Sequence, residues 1–192
     1  MNDNYLSSIQ KQLIYIRELG WKTIQQLASD KLNWQYNEES NSITQIVKHL
    51  SSNMLSRWTD FLNTDGEKEW RHRDQEFETE NLNFEQIEIL WNKGWDCLQG
   101  TISSLQAEDL ERIVYIRNQG HTVVEAINRQ LSHYSYHIGQ IVYLGKMIQD
   151  GHWKSLSIPR GKSESYNKDM FAKEKESVHF TKNLLSKNKN QS

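Results

Sequence analysis

The sequence predicts an all-α fold. Apolar residues recur at spacings of three and four along most of the chain, the period of an amphipathic helix. Three apolar stretches open with a capping residue followed three positions later by Gln or Glu: Ser42–Gln45, Asn83–Gln86 and Thr122–Glu125. The chain of 192 residues has a single proline, Pro159, so nothing interrupts a helix before that point.

The first helix is expected over residues 4–28, with Leu6, Ile9, Leu13, Ile16, Thr23 and Leu27 on its apolar face. Gly20 weakens its middle, and Trp21 beside it is expected to pack where the small residue leaves room. The second starts at Ser42, and Ile43, Ile46, Val47, Leu50, Met54 and Phe61 form its stripe. Gln45, His49, Asn53, Ser56 and Asp60 run as a polar line beside that stripe. Residues 63–82 are dense in charge and lack a helical period. A connection of this length suits a crossover along the body of the fold, leaving the helices on either side parallel, with Trp70 and Phe77 pinning it. A mobile loop is the alternative.

The third helix begins near Asn83 and carries Phe84, Ile87, Trp91, Trp95, Leu98, Ile102 and Leu105; Cys97 reads as a small core residue. Residues 112–117 are β-prone, and Asn118-Gln119-Gly120 is a turn signal. The fourth helix runs from Thr122 towards Gly151. Gly139 and Gly145 inside it are expected at close helix contacts, and Gly151 is expected to stop it. Trp153, Leu156 and Ile158 should pack back on the helices. The domain then covers residues 1–160. The stretch 161–192 is a basic, partly helical or flexible tail, with a short helix near 168–185.

Lys and Arg total 23 against 25 Asp and Glu, which gives no global attraction to nucleic acid or an acidic membrane. Cys97 is the single cysteine and forms no internal disulfide, so a reducing cytoplasm is the expected compartment. No basic-then-apolar leader and no long apolar run appear, so neither a secretory signal nor a membrane span is expected.

The candidate site is metal-ligating. His133 and His137 lie four residues apart and share one helix face, so both imidazoles reach one point. A His-x-x-x-His pair is weak evidence alone. His49 supplies a third nitrogen if the second and fourth helices are neighbours, and three imidazoles leave a divalent ion with open positions. Ordinary hydrogen-bonding histidines at a polar edge are the alternative. Asn53 and Gln140 lie one turn from the histidines and are candidates to orient them, and Arg57 and Arg129 are candidates to hold an anionic group.

The motifs add a resemblance. Ile46-Val47-Lys48-His49-Leu50 followed by His133-x-x-x-His137 resembles the DinB/YfiT-like superfamily of small bacterial metalloproteins. Asn53-Met54, Ser56 to Phe61, Asp65-Gly66-Glu67-Lys68, Trp70-Arg71, His137-Ile138-Gly139-Gln140 and Leu156-Ser157-Ile158-Pro159 resemble an uncharacterised branch of it, over about residues 5–165. The resemblance implies a four-helix bundle of the DinB/YfiT type with a long crossover between helices two and three. It also implies one divalent ion (zinc, nickel and iron are not distinguished) on His49, His133 and His137, and a homodimer. Relatives in other branches are thiol-dependent transferases or isomerases. The expected function is therefore a metal-dependent enzyme of the thiol-transferase or hydrolase type, using a low-molecular-weight thiol and an unidentified substrate. The alternative is a non-catalytic, metal-stabilised module that acts as a dimeric interaction or stress-response protein.

Overall fold

A computed structural model describes residues 2–182. It contains α1 (Asn2–Ile24), α2 (Ile43–Trp58), α3 (Phe84–Ser104), α4 (Val123–Gln149) and a short α5 (Ser163–Phe171). One antiparallel hairpin, β1 (Ile113–Ile116) with β2 (Gln119–Thr122), is the departure from an all-helical chain. No helix among the described residues is long and apolar enough to cross a membrane.

All three capping boxes form, and each fixes the start of a long helix. At α2 the Gln45 N–H donates to Ser42 Oγ (3.2 Å), and the Ser42 N–H donates to Gln45 Oε1 (2.7 Å). Such a cap contributes about 1 kcal/mol by satisfying amides that a helix start leaves unpaired. The helix ends differ from the sequence expectation. α1 stops at Ile24, and a 3-10 turn at Ser29–Asn33 buries Leu32. α2 stops at Trp58, because Asp60 takes a left-handed backbone (φ 49°). That turn removes Asp60 from the polar line of α2, while Phe61 still packs on Trp58 with ring centroids 4.7 Å apart.

Side-chain pairings give the helix directions. Tyr5 donates to Asn128 Oδ1 (2.8 Å) near the start of α1 and α4, and Thr23 meets Gly145 further along both, so these two helices run parallel. Gly94 lies against Ser51, and Thr101 Oγ1 donates to the Trp58 carbonyl (2.9 Å), so α2 and α3 are also parallel. His49 faces His137 while Asn53 bonds Tyr134, so α2 opposes α4. Trp58, Trp91, Trp95 and Tyr134 are the largest fully buried side chains in the shared core. The room beside Gly20 is filled by the Trp91 ring, on which Trp21 stacks, rather than by Trp21 itself.

The parallel pair α2 and α3 requires a connection that returns along the molecule, and residues 59–83 provide it. Trp70 is 52% exposed and does not pin this crossover; Phe77 does, against His49. Hydrogen bonds hold the rest. Ser56 Oγ donates to the Gly66 carbonyl (2.9 Å), the Gly66 N–H donates to the Tyr115 carbonyl (2.8 Å), and Gln45 Nε2 donates to the Phe77 carbonyl (2.6 Å). A loop anchored by polar contacts at a few buried positions shows no apolar period, so the sequence pattern does not reveal its anchoring.

The hairpin turn falls at Arg117–Asn118, one residue before the expected signal, with both residues at positive φ (53° and 58°). That geometry suits a two-residue hairpin, whose turn must match the strand twist. The Asp65 carboxylate accepts both of the turn's amides, from Arg117 (2.9 Å) and Asn118 (2.8 Å), and so offsets the strain of a left-handed arginine. Gly120 lies within β2 instead. At the end of α4 the positive φ belongs to Asp150 (46°), and Gly151 lies in the 3-10 turn that follows.

Trp153 packs beside Gly145, and Leu156 is half-buried, whereas Ile158 is exposed. α5 starts earlier than expected. After it the chain returns to α1, where Phe180 meets Tyr15 edge-on (5.5 Å) and Thr181 is buried. The expected helix end at Leu185 lies outside the described residues.

The two glycines inside α4 are not equivalent. A Cβ at Gly145 would stand 2.3 Å from Thr23 Cγ2, whereas one at Gly139 meets nothing within 4 Å among the described residues. Gly145→Ala is expected to destabilise the chain by about 1–3 kcal/mol through overpacking. Gly139→Ala should stabilise it by up to about 1 kcal/mol through helix propensity. Urea unfolding of the two variants checks both signs.

Candidate metal centre

α2 and α4 bring three histidines to one point. His133 Nε2 lies 3.2 Å from His49 Nε2 and 3.1 Å from His137 Nε2. All three ligand atoms lie within 4.8 Å of one another, and among the described residues no other His, Cys, Asp or Glu joins them. Nitrogens bound tetrahedrally at zinc distances stand about 3.3 Å apart, so the donor set fits a single divalent ion.

The outer nitrogens are tied down. His49 Nδ1 donates to Glu76 Oε2 (2.8 Å), and His137 Nδ1 donates to Gln140 Oε1 (2.8 Å). A ring that donates through Nδ1 keeps its Nε2 lone pair free for a cation, and the acceptor fixes the ring's orientation. Glu76 is itself buried, and Arg71 grips it through Nε to Oε1 (2.8 Å) and Nη2 to Oε2 (3.0 Å). Burial alone would raise the Glu76 carboxyl. Hydrogen bonds from His49, Arg71 and Ser52 outweigh it and lower the group to about 2. Phe77 lies over the His49 ring at 5.0 Å.

Burial also dominates the two imidazoles on α4. It lowers His133 to about 3, helped by the neighbouring His137, His49, Arg57 and Arg71. It lowers His137 to about 4, against the raising effect of Gln140. Both rings are therefore neutral near pH 7, the state in which an imidazole can bind a cation.

The site opens into a cavity of about 660 Å³, whose wall includes Asn53, Arg57, Arg71, Arg129, Gln130 and Gln140. A second cavity of about 670 Å³ lies between α2, α3 and the crossover; Arg71 and Glu76 line it as well. Of the sequence candidates, Gln140 contacts a histidine directly. Asn53 accepts instead from the Tyr134 hydroxyl (3.1 Å), which in turn accepts from Trp58 Nε1 (2.9 Å). That buried chain locks α4 against α2 beside the histidines. Arg129 Nη1 donates to His121 Nε2 (3.2 Å), and Arg57 is buried on the cavity wall. Glu76 and Arg117 were not singled out by sequence reading, and Arg71 appeared only within a motif. Acidic and basic residues in a loop without period read as solvated, and no spacing rule connects Glu76 to His49.

The family model for a protein of unknown function (DUF1572) matches residues 1–162. The chain belongs to the DUF1572 family. The match spans α1 to α4, the hairpin and all three histidines of this DUF1572 protein. No curated protein matches the chain.

The lowered imidazoles set a pH dependence for the metal-free DUF1572 protein. Between an ordinary 6.5 and about 4, the unfolded chain takes up protons that folded His133 and His137 refuse. Stability should fall as pH drops through that window. Glu76 acts lower, its contribution present above 4.5 and lost as pH falls towards 2. His133→Gln should flatten the decline between pH 6.5 and 4 and leave the acid limb in place, as read from melting temperature against pH after chelation.

Proposed function

We propose that this DUF1572 protein is a DinB-like metalloprotein, a four-helix bundle in which His49, His133 and His137 hold one divalent ion, and that it acts as a metal-dependent transferase or hydrolase. The observation that carries the reading is the convergence of three Nε2 atoms at 3.1 and 3.2 Å, two of their rings being oriented by Glu76 and Gln140. Three protein ligands leave coordination positions open, and an open site beside a cavity is the arrangement of a catalytic rather than a structural ion. A bound divalent ion supplies Lewis acidity there.

The chain's own residues do the rest. Glu76 keeps the His49 Nδ1 proton in place and is held ionised by Arg71, so the ligand tautomer does not drift. Gln140 does the same for His137. Asn53, through Tyr134 and Trp58, holds the two ligand-bearing helices in register. The resemblance of the histidine motifs to thiol-using relatives supports a low-molecular-weight thiol as co-reactant.

Elemental analysis of the purified chain should find about one divalent ion per chain, and His137→Ala should lose most of it. Glu76→Gln should keep the fold but weaken the metal by about 10- to 100-fold in a chelator competition. The metal-loaded protein should consume a model electrophile in a thiol-dependent manner, and His137→Ala should abolish that turnover. A protein that keeps its ion but shows no thiol-dependent turnover would instead be a metal-stabilised module.

A further inference from the structure

The cavity at the three histidines is lined by five arginines, Arg57, Arg71, Arg73, Arg117 and Arg129, and, among the described residues, by no Asp or Glu. This concentration occurs in a chain whose net charge is −2. Three carboxylates reach the group, and one of them, Asp65, accepts the Arg117 backbone N–H (2.9 Å) and lies close enough to Arg57 to feel its charge. Glu76 is engaged by Arg71 and His49. Glu67 is shared by Arg71 (3.2 Å), Arg117 (3.3 Å) and Arg57 (3.8 Å). Five cations against three anions leave an excess of two positive charges before any metal ion is added. Arg73 lies over the Phe77 ring and Arg129 donates to the neutral acceptor of His121; neither has a carboxylate partner among the described residues.

Arg57 is the sharpest case. It is 5% exposed, and its Nε and Nη1 have no hydrogen-bond partner among the described residues. A guanidinium stays charged in a protein, and burying it with its donors unused is unfavourable unless an anion meets it. Its side chain is built into place: a Cβ at Gly66 would stand 2.8 Å from Nη1 and 2.9 Å from Cδ, so only glycine lets the crossover close over it. Arg57 follows His49 and Asn53 on one face of α2, about 12 Å from His49 along the axis. Arg129 precedes His133 by one turn on the opposing α4, so both arginines lie on the same side of the histidines. Gln130 Oε1, on the same wall, is a buried acceptor without a partner among the described residues.

We infer that this cavity binds a small anionic substrate, a carboxylate or phosphate group seated on Arg57 and Arg129, with the remainder of the molecule extending to the three histidines. The inference rests on the proposed metal site for the end of the cavity at which the substrate reacts, and on the arginines alone for its charge. A planar, multiply donating guanidinium matches either oxyanion, and the low-dielectric wall strengthens the contact. Gln130 adds an acceptor for a hydroxyl or amide N–H beside the anion.

Calorimetric titration of the full chain with inorganic phosphate and, separately, with succinate tests this, in metal-loaded and chelator-treated protein. At least one anion should bind in both forms, and the tighter of the two assigns the group. Arg57→Gln should weaken it by about tenfold or more and Arg129→Gln by at least about threefold, with Lys154→Gln unchanged. If Arg57→Gln fails to fold by circular dichroism, the exposed Arg129 variant decides. No binding of either anion at millimolar concentration overturns the inference. So does binding that vanishes on chelation and ignores Arg57→Gln, which would put the anion on the ion, or equal weakening by Lys154→Gln. Arginine-dependent binding in a protein that takes up no metal would keep the anion site and retire the metal reading.

Discussion

Glu76 is the carboxylate through which the crossover, α2 and the histidine cluster are coupled. It lies within hydrogen-bond distance of His49 and of two nitrogens of Arg71, and all three residues are buried. A buried carboxylate is unfavourable unless its lone pairs are filled, and here a bidentate arginine and an imidazole fill them. The consequence is structural as well as electrostatic. The 3-10 turn Arg73–Phe77 has to sit where Glu76 reaches α2, and that seats Phe77 on the His49 ring. Removing the carboxylate would leave Arg71 buried without its main partner and His49 free to rotate.

The crossover exists because of helix direction. α2 and α3 run parallel, so residues 59–83 have to travel the length of the molecule rather than close a tight turn. A segment forced across the surface of α2 can deliver side chains along it, and this one delivers Asp65 to the hairpin turn, Glu67 to three arginines and Glu76 to His49. The hairpin in turn brings Arg117 to the cavity rim. Much of the polar wall of the site therefore comes from irregular segments, while the three histidines themselves ride on two rigid helices. That division suits a metal centre, in which ligand positions must be fixed to fractions of an ångström and the surrounding wall sets the chemistry.

The electrostatics of the site hold opposite demands together. The imidazoles of His133 and His137 are kept neutral by burial, with a further contribution at His133 from the nearby guanidinium groups. Those same guanidinium groups make the cavity positive. Internal contacts do not satisfy the whole wall, since among the described residues Arg57 and Gln130 both keep unpaired polar atoms in the interior. Internal anions are too few for the arginines present, so the cavity wall keeps a net positive charge.

The sequence by itself determined the helices and pointed to the three histidines that the fold brings together. Periodicity marked four long helices, capping boxes located the starts of three, and a spacing of four put His133 and His137 on one face, because these are local consequences of helix geometry. It also supplied His49, through its place on the polar line of α2. The tertiary structure decided everything that depends on which segment meets which: that Glu76 and Arg71 are buried rather than solvated, that Asn53 serves Tyr134, that Gly145 is packed and Gly139 open, and that Trp70 faces solvent. Burial of a charged loop residue has no local signature. It arises from long-range pairings such as His49 with Glu76, and only the folded chain contains them.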